Sequence, residues 1–228
     1  MGEIKLVEIK EEILSDNQEL ADALRAKLTK EGTMLVNIMS SPGAGKTSLI
    51  LHTLSALKGE LKVGVLEADI ESTVDSEKIA AQGIPVVQVR TGGACHLEAA
   101  MVQYGLEALD AVGLNMVLVE NVGNLVCPAE FDTGAHLKIM ILSVPEGDDK
   151  PLKYPLMFSI SDALVINKID YLPLSDFDPE AVKARAKALN PHIKIFTVSC
   201  RTGEGIEAWI TWLKDRWRDF STSPKERR

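Results

Sequence analysis

The sequence contains no long hydrophobic run. Nowhere do the ~20 consecutive apolar residues needed to cross a bilayer occur, so no membrane-spanning segment is expected. The opening Met1-Gly2-Glu3-Ile4-Lys5 lacks the charged-then-apolar layout of a secretory signal, and a cytoplasmic protein is the expectation. Cysteine is scarce and odd in number: Cys95, Cys127 and Cys200 are the only three. That count argues against a disulfide framework and leaves free thiols or metal ligands. Basic residues are outnumbered 25 to 33 and interspersed with acidic ones, for a net charge of −8. A grip on nucleic acid needs a basic face, so this balance argues against one. It does not exclude a phosphate ligand, which backbone N–H groups and a single lysine can hold locally. Internal repeats and low-complexity segments are also absent.

What remains is a chain of 228 residues, 46% hydrophobic, suited to one globular domain of the kind that reaches roughly 250 residues. Short β-branched and apolar runs alternate with helical patterns, the sign of βαβ units. Strands are expected at 35–39, 63–66, 84–89, 116–119, 139–142, 163–166 and 193–198. Unbroken runs such as Met116-Val117-Leu118-Val119 suit strands covered on both faces. The expected fold is therefore α/β, with a mainly parallel sheet of about seven strands and helices on both faces, the architecture in which the loops considered next make a P-loop GTPase. Leu20, Leu24 and Leu28 mark a helix before the first strand, with Asp16 and Glu19 placed as a capping box. Asp178-Pro179-Glu180 marks another helix start. Ile206, Trp209, Ile210, Leu213 and Trp217 form the apolar stripe of a last helix. The organisation expected is an N-terminal helical extension at 1–33, a main domain at 34–220 that holds the GTPase and metal-site candidates taken up below, and a disordered polar tail at 221–228.

Ser40-Ser41-Pro42-Gly43-Ala44-Gly45-Lys46-Thr47 follows the first strand and opens a helix, the required setting for a phosphate-binding loop. Small residues let successive N–H groups converge on phosphate oxygens. Pro42, Gly43, Ala44, Gly45 and Ser48 are the expected cradle, Lys46 reaches the β- and γ-phosphates, and Thr47 ligates Mg²⁺. Ser40 stands where the pattern has its first glycine, and fits only if the backbone there avoids positive φ.

Asn167-Lys168-Ile169-Asp170 closes an apolar strand, where ligands of open α/β sheets gather. A carboxylate at Asp170 can accept from both N1–H and N2–H₂ of guanine. Adenine lacks that donor pair and would leave the carboxylate unpaired, at a cost of about 1–3 kcal/mol or more. Asn167 can bond the base edge and loop backbone, the Lys168 stem can cover the purine face, and Ser199-Cys200-Arg201 would close over the base. The ligand expected is GTP or GDP rather than ATP.

Two acidic segments follow strands: Glu67-Ala68-Asp69-Ile70-Glu71 and Glu120-Asn121-Val122-Gly123-Asn124. Asp69 or Glu120 would hold Mg²⁺ or its waters, and Gly123 would bond the γ-phosphate. No glutamine follows Gly123 to orient a water, which predicts turnover on or below the order of 10⁻² s⁻¹. Cys95-His96 stands where a strand hands over to a helix, a position that would favour thiolate. Cys127 lies just beyond Gly123. Two thiolates and an imidazole suit Zn²⁺ or Ni²⁺, although from spacing alone inert buried thiols are favoured.

Taken together, the loop at 40–47, Glu67-Ala68-Asp69-Ile70, Thr91-Gly92-Gly93-Ala94-Cys95-His96-Leu97, the run from Glu120 to Pro128 and Asn-Lys-Ile-Asp resemble the hydrogenase nickel-incorporation GTPases of the HypB type, relatives of the urease accessory GTPase. The resemblance implies that Cys95, His96 and Cys127 hold nickel or zinc and that Ser40 is normal in this group. It implies a GTP-hydrolysing nickel metallochaperone for hydrogenase maturation. Its partners would be other hydrogenase-maturation proteins and the hydrogenase large subunit, with neither nucleic acid nor membrane. It further suggests a homodimer in the GTP state, coupled to metal binding, in which Lys153 of Asp149-Lys150-Pro151-Leu152-Lys153 reaches the other copy's phosphates. Residues 1–33 carry neither the cysteine motif nor the histidine-rich run of some members, so nickel storage is not implied. The urease type has a proline between Cys and His, and here the two are adjacent. A metallochaperone for another metalloenzyme, or a nickel- or zinc-binding module without turnover, are the competing readings.

Overall fold

A computed structural model describes residues 9–69 and 74–223. The strands are β1 (Met34–Ser40), β2 (Val63–Asp69), β3 (Val86–Arg90), β4 (Met116–Glu120), β5 (Leu137–Ser143), β6 (Ala163–Asn167) and β7 (Lys194–Thr197). The helices are α1 (Ile9–Glu31), α2 (Lys46–Leu57), α3 (Val74–Ala80), α4 (Ala99–Ala108), α5 (Cys127–Glu130), α6 (Lys150–Lys153), α7 (Pro155–Ile160), α8 (Pro179–Leu189) and α9 (Ile206–Thr222). All seven expected strands are present, and every pairing is parallel, in the order β3-β2-β4-β1-β5-β6-β7.

The side-chain period of two sorts each strand between two cores. Met34, Val36 and Ile38 of β1 pack with Leu49, Ile50 and Leu54 of α2 and with Trp209 and Leu213 of α9. Leu35 turns the other way, toward Leu24 and Leu28 of α1 and Val102 of α4. Met39 faces Met157 and Phe158 of α7 and Val182 of α8. Both faces of the sheet are thus covered. Trp209 is fully buried and donates from Nε1 to Thr53 Oγ1 at 3.0 Å, which satisfies its one polar atom.

Two boundaries differ from expectation. α1 begins at Ile9 and not at Asp16, because the intervening Ile, Glu, Lys and Leu are good helix formers with no breaker among them. As its apolar stripe implies, the helix packs on the sheet: Leu24 and Leu28 are buried with Leu35 of β1 and Val102 of α4. At the other end α9 continues to Thr222, past the expected tail boundary, and residues 224–228 lie outside the described residues. Asp178 caps α8 as expected, accepting from Glu180 N and Ala181 N.

His136 joins α1, β1 and α9. Leu35 N donates to its Nδ1 at 2.9 Å, Nε2 lies 3.0 Å from Thr29 Oγ1, and its ring meets Phe220 edge-on at 4.7 Å. Burial, aided by the Arg25 charge, lowers its pKa to about 4. An unfolded histidine titrates near 6.5, so between these values the unfolded chain binds the extra proton. Stability is then complete above ~6.5 and falls as pH drops toward 4. Urea midpoints measured across that window should decline with acid in the wild type and decline less steeply in His136→Gln. Parallel profiles for the two proteins would contradict this assignment.

Candidate functional site

The carboxyl edge of the sheet gathers every loop that carries candidate chemistry. β1 ends at Ser40, whose backbone avoids positive φ and whose hydroxyl lies 3.3 Å from Lys46 Nζ, so a serine is accommodated where a glycine stands in the general pattern. The chain turns through Gly43 and Gly45, both at positive φ, into α2. Gly45 has a second constraint: a Cβ there would stand 2.3 Å from Asn167 Nδ2. The phosphate loop is therefore packed directly against the candidate base loop.

Asn167 is buried, and both the donor and the acceptor end of its amide are engaged. Nδ2 donates to Ala44 O at 2.9 Å, while Oδ1 accepts from Lys168 N at 2.8 Å and Cys200 N at 3.2 Å. It ties three loops together through their backbones, one half of the role expected of it. Ser199 is likewise turned to the protein: its hydroxyl donates to Asp170 Oδ1 at 2.6 Å and orients that carboxylate. Lys168, at φ 62, sends Nζ to Gly43 O at 2.7 Å. Asp170, Cys200, Ser48, Gly45 and Lys168 line one hollow of about 230 Å³. Burial pushes the Cys200 thiol up to about 11, so this cysteine contributes its backbone and shape and not a nucleophile. His52 on α2 lies with Nε2 2.7 Å from Cys200 O, a support that no sequence motif marks.

On the other side of the phosphate loop, Thr47 Oγ1 donates to Glu120 Oε1 at 2.8 Å. Glu120 is buried, and in the sheet register it stands beside Glu67 of β2, also buried. A hydroxyl and clustered carboxylates are the hard oxygen donors that Mg²⁺ takes, so the residues present fit that ion. β2 ends at Asp69; its side chain and residues 70–73, including Ile70 and Glu71 of the first acidic segment, lie outside the described residues. Gly123 approaches Pro42 so closely that a Cβ would lie 2.8 Å from Pro42 N, which is why a glycine stands there.

Cys95, His96 and Cys127 come together: their ligand atoms lie within 4.8 Å of one another. Cys95 Sγ donates to Cys127 Sγ at 3.1 Å, and His96 Nδ1 lies 3.8 Å from Cys95 Sγ. α4 starts only at Ala99, so Cys95 sits in the preceding loop and not at a helix N-terminus as expected. His96 is buried, stacks on Phe131 at 4.1 Å, and has Nε2 3.4 Å from Glu98 Oε1. That nitrogen is buried and makes no hydrogen bond among the described residues; the carboxylate stands on the side from which a hydrogen bond would turn the ring's other nitrogen toward a metal. Sharing a proton with the neighbouring Cys95 thiol, then burial, raises the Cys127 pKa, and a metal bound there would have to displace that proton.

Two asparagines that the sequence reading passed over join this cluster to the Glu120 segment. Leu97 N donates to Asn121 Oδ1 at 3.2 Å, and Asn124 Nδ2 donates to Cys95 O at 3.3 Å. Lys153 lies elsewhere: it is in a single helical turn, α6, rather than a loop, and it pairs with Asp149. The bond with Asp149 raises the Lys153 pKa. Lys150 lines the hollow above Ser41, Pro42 and Gly123. The turn before α6 is held to the phosphate loop by Glu146, which accepts from Ser143 N at 2.7 Å and from the Ser41 hydroxyl.

This parallel sheet, its phosphate loop after β1 and its Asn-Lys-x-Asp after β6 define a P-loop protein with the GTPase fold. The model described as "CobW/HypB/UreG, nucleotide-binding domain" matches residues 34–197, and the chain belongs to that family. The hydrogenase maturation factor HypB of Azotobacter chroococcum is 44% identical over 214 residues, covering 94% of this chain and 70% of the relative. The crystal structure of hydrogenase maturation factor HypB from Archaeoglobus fulgidus matches with a TM-score of 0.84 at 38% identity, over 89% of this chain and 99% of that one. HypB from Helicobacter pylori in complex with nickel also matches with a TM-score of 0.84, at 37% identity over 91% and 98%.

The orientation of Asp170 by Ser199 yields a specificity test. Asp170→Asn should weaken GTP and favour xanthosine triphosphate, which offers an acceptor where guanine has an amine. Competition against a fluorescent GDP analogue measures both. Unchanged preference for GTP in the variant would contradict the base assignment.

Proposed function

We propose that this chain hydrolyses GTP with Mg²⁺ and uses the nucleotide cycle to control a nickel site during hydrogenase maturation. The observation that carries the reading is the attachment of the thiol–imidazole cluster to the Glu120–Asn124 segment, through Leu97 N to Asn121 and Asn124 to Cys95 O. The relatives' names support hydrogenase maturation as the setting, and the nickel-bound H. pylori structure supports nickel over zinc as the cargo.

In this mechanism the N–H groups of 43–47 and Lys46 bind the phosphates, and Asp170 selects guanine. Thr47 and Glu120 would hold Mg²⁺, with Asp69 the further candidate, and the ion held there would supply positive charge against that developing on the phosphates. Gly123 offers its N–H toward the γ-phosphate side of the loop. Because Asn121 and Asn124 belong to the same segment, a shift of Gly123 between GTP and GDP moves the backbone that holds Cys95 and carries Cys127. Slow turnover, without a glutamine after Gly123, suits a timer rather than a metabolic catalyst. The metal site offers three soft donors, one short of a closed tetrahedral set, and a second copy related by a two-fold axis could complete it. Exposed Leu152 and Leu156 flank Lys153 and provide apolar surface for that copy. Lys153 would leave Asp149 to reach the other copy's phosphates. Other hydrogenase-maturation proteins and the hydrogenase large subunit are the proposed onward partners.

The decisive experiment combines both ends of the proposal. Wild-type protein should release phosphate from GTP, Lys46→Ala should abolish it, and a non-hydrolysable GTP analogue should shift the chain from monomer to dimer in sedimentation, with GDP reversing the shift. Lys153→Ala should lower kcat more than GTP affinity. Retention of full turnover by Lys46→Ala, or a chain that stays monomeric at tens of micromolar with analogue and nickel both present, would contradict the reading.

A further inference from the structure

The two chain segments that bring the candidate nickel ligands together arrive from different places. Cys95 and His96 lie between β3 and α4, whereas Cys127 opens α5 after β4. Among the described residues they are tied near the ligands by a thiol–thiol hydrogen bond, which metal binding would remove, by the His96–Phe131 ring contact, and by the bonds of Asn121 with Leu97 N and of Asn124 with Cys95 O. A metal site tolerates errors in ligand position of only a few tenths of an ångström, so a further tie farther out on both segments would stiffen their spacing.

We infer that Asn17 on the N-terminal helix is a positioning residue for the Cys95/His96/Cys127 site, because its one amide bridges both ligand-bearing segments. Its Oδ1 accepts from Ala99 N at 2.9 Å, and its Nδ2 donates to Asp132 O at 2.9 Å. Ala99 is the first residue of α4, three positions after His96; Asp132 follows Phe131, just past the end of α5. Asn17 is buried, at 8% exposure, and Ala99 is fully buried. The N–H of a first helical residue has no partner inside its own helix and needs one from outside. Glu98, the residue that precedes α4, makes no side-chain cap bond and instead places its carboxylate near His96. Asn17 supplies the missing acceptor from another helix, leaving Glu98 to face the imidazole.

The same face of α1 grips the second segment again, two turns further along. Arg25 Nη2 donates to Asp132 Oδ2 at 2.7 Å and its Nε to Ala135 O at 3.1 Å, while Asp132 Oδ1 accepts from Gly134 N. Asp132 is thus anchored on its own side, and Asn17 sets how far the start of α4 stands from it. Helix α1 lies before the span matched by the family model, 34–197, yet on this account the metal site is built partly from it.

The inference rests on the nickel reading above, and its test separates the two. Nickel is titrated into the full chain against a competing chelator, alongside a fluorescent GDP analogue and thermal melts. Asn17→Ala removes both contacts. Asn17→Asp keeps the acceptor for Ala99 N, loses the donor to Asp132 O, and serves if the alanine variant fails to fold. Each should weaken nickel by about tenfold, as loss of outer supports at metal sites does, with GDP affinity within about twofold of wild type. Leu28→Ala, buried at the far end of α1, should lower the melting temperature and leave nickel affinity unchanged. Wild-type nickel affinity in a folded Asn17 variant would overturn the inference, as would an equal loss in Leu28→Ala. Full stoichiometric nickel in Cys95→Ala/Cys127→Ala would instead sink the metal reading itself.

Discussion

The chemistry of this molecule depends on two consecutive residues at the end of one strand. Successive side chains of a strand point to opposite faces, so Glu120 and Asn121 cannot serve the same loop. Glu120 continues the face of Met116 and Leu118, the face that α2 covers, and meets Thr47 of the phosphate loop. Asn121 continues the face of Val117 and Val119, on the side of α1 and α4, and receives Leu97 N beside His96. The position is fixed by the parallel register of β1 with β4, in which Ile38 stands opposite Glu120 and Asn121 N donates to Ile38 O. Asn121 Nδ2 donates in turn to Asn37 of β1 at 3.1 Å. Nucleotide and metal loops are therefore neighbours across the thickness of a single strand.

Amide side chains are the joints of this edge. Asn17, Asn121, Asn124 and Asn167 each use both the donor and the acceptor end of the amide to hold separate loops. A neutral two-ended connector suits a place where phosphate and metal bring their own charge. A buried ionic joint would carry a desolvation cost and compete for either ligand. The close approaches at Gly45–Asn167 and Gly123–Pro42 pack these loops directly against one another.

The strands could be read from the sequence because they are apolar on both faces and punctuated by loops, and the phosphate loop because its function requires consecutive small residues. Boundaries moved where local propensity gave no stop signal, as at Ile9 and Thr222. Cys95, His96 and Cys127 required the family resemblance, since their convergence depends on where β3 and β4 lie in the sheet. Asn17, Asn121 and Glu98 were invisible for a different reason. Each acts on a residue brought near by tertiary packing, and neither asparagines nor glutamates in helices and loops announce such partners. Asn167 was legible from its motif, and its bonds to the loop backbone are of the kind expected of it.

The central claim is that Asn121 transmits the state of the nucleotide to the metal loop. It is tested by measuring nickel affinity with GDP and with a non-hydrolysable GTP analogue, in the wild type and in Asn121→Ala, by chelator competition. Linkage requires that a coupled pair of sites change each other's affinity by one common factor. The account predicts two distinct nickel affinities in the wild type and a ratio collapsing toward one in the variant, with GDP still bound. A variant that binds both ligands and keeps the wild-type ratio would contradict it.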